Sequence, residues 1–342
     1  MKSIQLFCFL YFAAFTLHAQ DTPRSLVEEG DKLFNENKIE QAITKYDEAI
    51  KKDKKCFQAY SKRSIAKAAL NDFTGALADV NMEIKFDPCS GAYLNRGNVE
   101  CELKEYEKAL KDYDVALKLD STSAPIYYEK GLTNFKMKNY DESLKNLNKS
   151  ILLYGKYKRC YYYRGRIYLL QKDNRLAISD LTTAINLDST YSAAYIIRSE
   201  AYNNLGKRDS SIKDHEKVMS LTDNNYLAGN NLGYLYMEDG DTTKAIDLFQ
   251  KLIKKFPKIG YAYNNLGYIM FKQKKVEEGK ELIKKSIELA DDNSYAHRNL
   301  AEIYVSENDL VKACFEITEA LKNGFTKDYG DEMTEWKSKY CK

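Results

Sequence analysis

The sequence repeats with a period of about 34 residues, and this period dictates the kind of fold open to the chain. In each period a small residue is followed twelve positions later by a second small residue, and four positions after that by a larger one. The first small residues are Gly30, Ser64, Gly97, Gly131, Gly165, Ser199, Gly233, Gly267 and Ala301. Such self-similarity indicates an array of structurally equivalent units rather than unrelated domains.

The spacing within one period predicts a pair of helices. Side chains three, four and seven positions apart share one helix face, so each half of a period is typical of an amphipathic helix. A short polar turn such as Asn71-Asp72 should join the two helices, and small residues should allow a close approach where they cross. Pro88 and Pro257 fall where second helices should end, because proline stops a helix. The pattern therefore predicts an all-α fold of nine helix pairs.

Two segments in particular, YNNLGY at 263–268 and KAIDLF at 244–249, resemble the tetratricopeptide repeat family. The resemblance covers roughly residues 23–327 as nine repeats, although repeats two, four, six and eight match it less well. It implies a right-handed α-solenoid of stacked helix-turn-helix units. A single pair cannot bury its apolar face alone, so stability should accumulate from contacts between neighbouring repeats.

The last residues, 328–342, depart from the period. Met333, Trp336 and Tyr340 form one apolar stripe at helical spacing. We expect a C-terminal capping helix that covers the exposed face of the ninth repeat, with the single tryptophan as its anchor rather than as a ligand contact.

The N-terminal residues 1–19 resemble a secretory signal peptide. Lys2 precedes an apolar run from Ile4 to Leu17, which is too short to cross a bilayer comfortably, and cleavage is expected after Ala19. Leu17 is larger than usual for its distance from the cut, so an uncleaved anchor remains the alternative. The expected location of the mature chain is the periplasm or the extracellular space.

Seven cysteines are present, and two of them are expected to pair. Cys314 lies near the start of the last repeat's second helix, and Cys341 lies at the end of the antiparallel capping helix. Their ends should meet, and this ending also resembles those of exported bacterial repeat proteins, so we predict a Cys314–Cys341 disulfide; the alternative is two buried thiols. Cys56 and Cys89 occupy equivalent positions beyond disulfide reach. Cys101 and Cys160 are interpreted as small apolar residues.

Catalysis, metal binding and nucleic-acid binding are all disfavoured. The chain has no glycine-rich phosphate loop, no zinc-binding spacing and no nucleophile motif, so neither catalytic residues nor a cofactor are predicted. His215 and His297 fall on repeat packing positions and are interpreted as satisfied core or groove histidines. Lys and Arg number 53 against 50 Asp and Glu, which gives no electrostatic drive toward nucleic acid.

In the resembled family, the first helices line a concave groove. Carried over to this chain, that property identifies candidate groove residues three before and one after the first small residue. They are Tyr128, Tyr162, Arg166, Asn230, Tyr234, Asn264, Tyr268 and Arg298.

The groove composition leaves two functions open. Asparagine amides can bond a peptide backbone, and Tyr and Arg are typical of binding hot spots, which favours a non-enzymatic scaffold for a protein or extended peptide. The alternative for the asparagines and tyrosines is that they are repeat consensus only. The alternative function is a solute or glycan binder that stacks sugars on the aromatic groove.

Overall fold

The computed structural model describes residues 22–222 and 224–341, apart from the side chain of Asp328, and within them every regular element is an α-helix. The predicted signal segment, residues 1–19, lies outside the described residues. In the described part of the chain, none of the helices combines the length and the apolar character needed to cross a membrane.

The helices form nine consecutive pairs over this described part, followed by two short helices. The first helices of the pairs are α1 (Pro23–Asn35), α3 (Phe57–Ala69), α5 (Ser90–Glu102), α7 (Ala124–Lys136), α9 (Lys158–Leu170), α11 (Ser192–Asn204), α13 (Tyr226–Glu238), α15 (Tyr261–Lys272) and α17 (Ser294–Ser306). The second helices are α2 (Ile39–Lys52), α4 (Phe73–Phe86), α6 (Tyr106–Leu119), α8 (Tyr140–Leu153), α10 (Asn174–Leu187), α12 (Arg208–Leu221), α14 (Thr242–Lys255), α16 (Val276–Leu289) and α18 (Leu310–Lys322). The last two are α19 (Phe325–Tyr329) and α20 (Glu332–Tyr340).

The described residues fall into two compact units, here called unit 1 and unit 2. Unit 1 ends at Ile167 and unit 2 begins at Tyr168, inside α9. The period does not reveal this division, because the spacing of the small residues is the same on both sides of it.

The third and seventh pairs show how the two helices of a pair approach each other where they cross. A Cβ added to Gly97 would lie 2.5 Å from Cε1 of Tyr113, sixteen residues later. One added to Gly233 would lie 2.6 Å from Cε1 of Phe249. The predicted role of the small residues is therefore confirmed: they leave room for the larger side chain of the second helix.

Tyrosines at the larger position add a hydrogen bond across the pair. In the first pair, the Tyr46 hydroxyl donates to Asp31 Oδ1 at 2.8 Å. In the third pair, the Tyr113 hydroxyl donates to Asn98 Oδ1 at 2.9 Å. In both pairs, the acceptor directly follows the small residue of the first helix. The tyrosine of the second helix therefore packs against the small residue and bonds to the residue after it.

The turn between the two helices of a pair has the same backbone geometry throughout the described chain. One residue adopts a positive φ in each pair, and the nine are Asn37, Asn71, Lys104, Lys138, Lys172, Gly206, Gly240, Lys274 and Asn308. Several second helices then begin with an aspartate cap; Asp241, for example, accepts from the Lys244 amide at 3.2 Å. Pro88 and Pro257 follow the ends of α4 and α14, as predicted.

The C-terminal cap contains one element more than predicted. Gly324 at φ 85° ends α18 and allows the short α19, whose Phe325 is fully buried beside Met333 of α20. Trp336 and Tyr340 pack at the edge of the same cluster, so the tryptophan does anchor the cap. The predicted disulfide is present: Cys314 and Cys341 are bonded, with their Cα atoms 5.2 Å apart.

The four other cysteines outside the signal segment are free thiols. Cys56, Cys101 and Cys160 are buried, and Cys89 is exposed. The interpretation of Cys101 and Cys160 as purely apolar needs a correction, because each thiol lies beside a hydroxyl, at 3.4 Å from Thr133 Oγ1 and 3.2 Å from Ser150 Oγ respectively. Burial raises the pKa of the Cys160 thiol to about 11.

Candidate functional site

The candidate groove residues of unit 1 lie mostly inside aromatic packing. Tyr128 is only 1% exposed, and its ring lies 4.7 Å from that of Tyr157 and 6.2 Å from that of Tyr163. Its assignment to the groove was therefore wrong, because the position three before Gly131 turns toward the next repeat. Arg166 is stacked on the Phe135 ring at 4.8 Å and on the Tyr162 ring at 5.6 Å.

The asparagines of unit 2 bond to one another rather than pointing outward as a set. Asn265 Nδ2 donates to Asn230 Oδ1 at 3.2 Å, and Asn264 Nδ2 donates to Asn265 Oδ1 at 3.2 Å. Asn299 Nδ2 then donates to Asn264 Oδ1 at 3.0 Å. We call these four residues the asparagine ladder. It ties α13, α15 and α17 together, so Asn264, which is buried, is structural rather than a free ligand contact.

Arg298 continues the ladder into the C-terminal cap. Its guanidinium donates to both carboxylate oxygens of Glu332, at 3.1 and 2.7 Å, and also pairs with Glu302. The same group lies 5.3 Å from the Trp336 ring. Burial disfavours the charge, but Glu332 and Glu302 outweigh it and raise the Arg298 pKa. Since its side chain is 14% exposed and saturated by these partners, Arg298 anchors α20 instead of offering a ligand contact.

Tyr234 is the candidate groove residue that stays open. It is 40% exposed on α13, and partial burial raises its pKa to about 12, so the hydroxyl keeps its proton at neutral pH. Tyr268 is half-buried, with Lys272 Nζ 4.8 Å from its ring. The candidate groove residues of repeats seven to nine are therefore mostly engaged in structural contacts, and Tyr234 is the accessible one.

A cavity of about 290 Å³ lies beside Tyr234, and we call it the His215 cavity. It is bounded by side chains from α11, α12 and α13. Those that matter below are Ser199, Glu200, Asn203, His215, Asn231 and Tyr234.

His215 is buried in the wall of this cavity with one ring nitrogen unused. It is 4% exposed, and Nδ1 donates to the Ser211 carbonyl at 3.1 Å on its own helix. Nε2 has no hydrogen-bond partner among the described residues. Burial lowers the His215 pKa. The predicted packing position is confirmed, but the expectation of a satisfied histidine is wrong for Nε2.

His297 is buried to a similar extent as His215, but its hydrogen bonds differ. Its Nδ1 lies 2.6 Å from Glu316 Oε2, and its Nε2 lies 3.1 Å from the Asp291 carbonyl. Both neighbours are acceptors, so the ring donates from both nitrogens. Burial opposes the charge, yet the Glu316 carboxylate and the Asp291 carbonyl raise the His297 pKa. This histidine is satisfied, as predicted.

Two cavity residues, Asn203 and Asn231, were not among the sequence candidates. They lie three residues after Glu200 and three before Tyr234, so they share a helix face with positions that the family pattern does identify. A search one turn along each first helix could have found them. Within residues 22–222 and 224–341, no group of three His, Cys, Asp or Glu side chains is placed to hold a metal ion.

Family models match much of the chain. A model described as TPR repeat matches residues 97–138. Models described as tetratricopeptide repeat match residues 27–88, 124–157, 231–258 and 260–293. The matches occur in both units.

Known relatives and solved structures are similar at low identity. Tetratricopeptide repeat protein 12 of Homo sapiens is 35% identical over 81 residues, which are 23% of this chain and only 12% of that protein. The crystal structure of a tetratricopeptide repeat protein from Parabacteroides merdae is 15% identical, with a TM-score of 0.50, and covers 72% of this chain and 98% of its own.

Two further structures share the fold. The pilF protein of Pseudomonas aeruginosa is 17% identical, with a TM-score of 0.54, over 59% of this chain and 92% of its own. The C-terminal part of a TPR repeat-containing protein from Cytophaga hutchinsonii is 18% identical, with a TM-score of 0.53, over 70% of this chain and 99% of its own. At these identities the likeness concerns the fold alone. With its nine helix pairs, its 34-residue period and family matches along both units, the chain belongs to the tetratricopeptide repeat family.

Proposed function

We propose that this chain is a non-enzymatic scaffold that binds an extended segment of a partner protein on the first helices of unit 2. Tetratricopeptide repeat scaffolds are commonly protein-binding. The observation that carries the proposal is the position of Tyr234, an exposed aromatic residue at a cavity whose rim also bears the amides of Asn203 and Asn231. Aromatic anchors beside pockets are typical hot spots, and amides can bond a peptide backbone.

The geometry of His215 supports a non-enzymatic role. A histidine base that activates a nucleophile needs an orienting group on one nitrogen and the nucleophile on the other. His215 Nδ1 is held by a carbonyl of its own helix and not by a carboxylate. The nearby Ser199 hydroxyl donates to the Ile196 carbonyl at 2.7 Å and so is not activated by the histidine.

The glycan alternative is less well supported by the same surface. Sugar binding through stacking would need a series of open aromatic faces on the first helices. In unit 2, Tyr268 lies under Lys272, and Tyr234 lines the same cavity as Glu200. A mixed surface of aromatic, amide and carboxylate groups suits a peptide better than a carbohydrate.

Partner capture tests the proposal directly. We expect proteins that cross-link to the wild-type chain in a cell-envelope extract to be lost when Tyr234→Ala and Asn231→Ala are combined. The reason is that the double variant removes the aromatic anchor and a neighbouring backbone-binding amide. Quantitative mass spectrometry of the cross-linked proteins, with matched amounts of folded bait, is the measurement.

Tyr261→Ala is the matched control for partner capture. Tyr261 is 50% exposed on α15 and does not line the cavity, so its replacement removes a similar aromatic area from another surface. It should leave the captured set unchanged. Equal capture by the double variant and by wild type would show that partners do not use this surface.

We also propose that the chain is exported. The apolar N-terminal segment supports this, and so does the Cys314–Cys341 disulfide, because disulfides persist mainly in oxidising compartments. In the native host we expect the mature chain to begin at Gln20 and to carry Cys341 in disulfide form. Intact-mass analysis after alkylation without reductant measures both. A chain that retains Met1 and has Cys341 alkylated would contradict export.

A further inference from the structure

The second helix of the ninth repeat, α18, is apolar at two surface positions where the other repeats are polar. The tenth and fourteenth residues after the first small residue of a repeat are exposed in all nine repeats. In the ninth repeat they are Val311 and Phe315. In repeats one to eight, Ala78 is the one exception to their polar character. The eight pairs are Glu40 and Thr44, Thr74 and Ala78, Glu107 and Lys111, Asp141 and Lys145, Arg175 and Ser179, Asp209 and Lys213, Thr243 and Asp247, and Glu277 and Glu281.

Val311 and Phe315 are among the most exposed large apolar side chains of the described chain. Val311 is 84% exposed and Phe315 is 62% exposed. They lie four residues apart, so they project from the same face of α18. Repeats inside the array leave these positions exposed as well, so the missing tenth repeat does not explain why they are apolar here. Adjacent exposed apolar side chains of this kind are typical of an interaction site.

The two side chains border a groove between α18 and the end of α20. Its volume is about 520 Å³, within the range of roughly 300–1,000 Å³ that is typical of ligand pockets. Val311 and Phe315 line the groove from α18, and Tyr340 lines it from α20. The Cys314–Cys341 disulfide lies in the same wall and fixes the two helices relative to each other. A ligand would therefore meet a preformed apolar surface, which lowers the entropic cost of binding.

Lys339 gives this groove a positive charge. It is the one charged residue among the eight that line the groove. Its ammonium lies 4.9 Å from the Tyr340 ring, and none of the carboxylates that the structure describes forms an ion pair with it. On α18, by contrast, Lys312 is neutralised by Asp309 at 2.7 Å. A ligand that carries a carboxylate next to its apolar side chains would complement the groove.

The charge and the shape together favour one kind of occupant. A second copy that docked with the same surface would bring another Lys339 against a groove that already holds an ammonium without a counter-charge. A flat anionic membrane would supply the counter-charge, but a concave groove offers it little apolar contact. A helix supplies both apolar and acidic side chains, and its ridges fit the spacing of one turn between Val311 and Phe315.

We propose that this surface, which we call the α18–α20 groove, binds an amphipathic helix of a partner protein whose apolar stripe is flanked by acidic residues. The apolar side chains of that helix pack against Val311 and Phe315, and one of its carboxylates pairs with Lys339. The groove lies on a second helix and the C-terminal cap, whereas Tyr234 lies on a first helix. The inference therefore adds a docking surface that the proposed function does not use.

Peptide selection tests the groove directly. A phage library of random 16-residue peptides is selected on the oxidised mature chain, in the presence of excess soluble double variant Val311→Ser with Phe315→Ser. The excess variant removes peptides that bind elsewhere on the chain. We expect the remaining peptides to carry large apolar residues three, four and seven positions apart, and to contain more Asp and Glu than the unselected library.

Affinities of the most enriched peptide, measured by fluorescence anisotropy, separate the apolar and the charged contributions. The double variant Val311→Ser with Phe315→Ser should bind at least about tenfold more weakly, because burial of a large apolar side chain is lost. Lys339→Gln should bind about fivefold more weakly, the loss expected for one exposed ion pair. Both changes are at side chains on the surface, and circular dichroism with intact-mass analysis of the disulfide verifies that each variant is folded.

Two matched controls belong to this measurement. The double variant Thr243→Ser with Asp247→Ser changes the same two positions of the seventh repeat and should bind the peptide like the wild type. Lys337→Gln removes a charge from α20 at a residue that does not line the groove, so its affinity should change less than about twofold.

The outcomes distinguish the possible occupants. If no enriched peptide prefers the wild type over the Val311 and Phe315 double variant, the docking surface is overturned. Enriched peptides without excess Asp and Glu, or an unchanged affinity in Lys339→Gln, overturn the acidic character of the partner. A wild-type dimer in sedimentation velocity that the double variant abolishes would identify a second copy instead. Co-sedimentation with phosphatidylglycerol vesicles that the double variant abolishes would identify a membrane instead. Capture through Tyr234 is a separate measurement, so the scaffold proposal can stand or fail independently.

Discussion

Loss of the Cys314–Cys341 disulfide should lower the free energy of unfolding of the C-terminal repeats by about 3–4 kcal/mol. The bond closes a loop across 27 positions and joins α18 to the end of α20. An isolated helix of nine residues is marginal in water, so α20 depends on this link and on the burial of Met333. Because a repeat array is stabilised by neighbour contacts, an undocked cap should also weaken the ninth pair.

The single tryptophan makes this effect measurable. Trp336 packs in the cluster that contains Met333 and Phe325, so its fluorescence reports the cap and the last repeat. In urea unfolding of the wild type, the midpoint should be lower with reductant than without it. The double variant Cys314→Ser with Cys341→Ser should unfold like the reduced protein, and reductant should not change its unfolding midpoint. Equal midpoints for the oxidised and reduced wild type would contradict the expectation.

The second large effect is expected from Gly279→Ala. A Cβ at Gly279 would lie 2.7 Å from the Gly267 carbonyl oxygen and 2.9 Å from the Phe271 amide nitrogen. Both are backbone atoms, so no side-chain rotation can relieve the overlap and α15 must move away from α16. Overpacking of this kind costs about 1–3 kcal/mol. We expect a net loss although alanine is intrinsically favoured over glycine in a helix by about 1 kcal/mol.

A matched glycine shows whether the loss comes from the crossing. Gly91 is also helical, in α5, but the nearest atom to its added Cβ is Cys89 Sγ at 3.9 Å. Gly91→Ala should therefore leave stability unchanged or raise it by up to about 1 kcal/mol. Urea unfolding followed by circular dichroism compares the two variants, with Trp336 fluorescence as a probe of the adjacent last repeat and cap. A Gly279→Ala protein as stable as Gly91→Ala would mean that the helices do not cross this closely.

Most of the fold was predictable because it depends on local periodicity. The small residues at a fixed spacing predict the helix pairs, and the contacts of Gly97 and Gly233 confirm that role. The last helix and its disulfide were also predictable, since Met333 and Cys341 break the period in a helical pattern of their own. The short α19 was not, because five residues between two glycines carry no periodic signal.

The candidate site was predicted less well, because its residues depend on partners about 34 positions away. Asn264 and Arg298 occupy the family's groove positions, yet they are engaged by Asn299 and Glu332 of the following elements. Tyr128 shares the position of Asn230 within its repeat, but its larger ring is drawn into the next repeat's aromatic packing. The position of a residue within its repeat indicates which helix face it lies on. Whether its side chain is accessible there depends on the side chains of the neighbouring repeat.

The order of residues along the chain was enough for the all-helical architecture, the number of pairs and the cysteine pairing, since each follows from spacing within one or two helices. Tertiary packing alone decided which asparagines form the ladder, that Tyr234 stays exposed, and that His215 Nε2 has no hydrogen-bond partner among the described residues. The physical reason is that a hydrogen bond across repeats depends on side-chain reach. Tyr46 reaches across the first pair to Asp31, whereas the histidine at the same position of the sixth pair, His215, bonds to its own helix and lines a cavity.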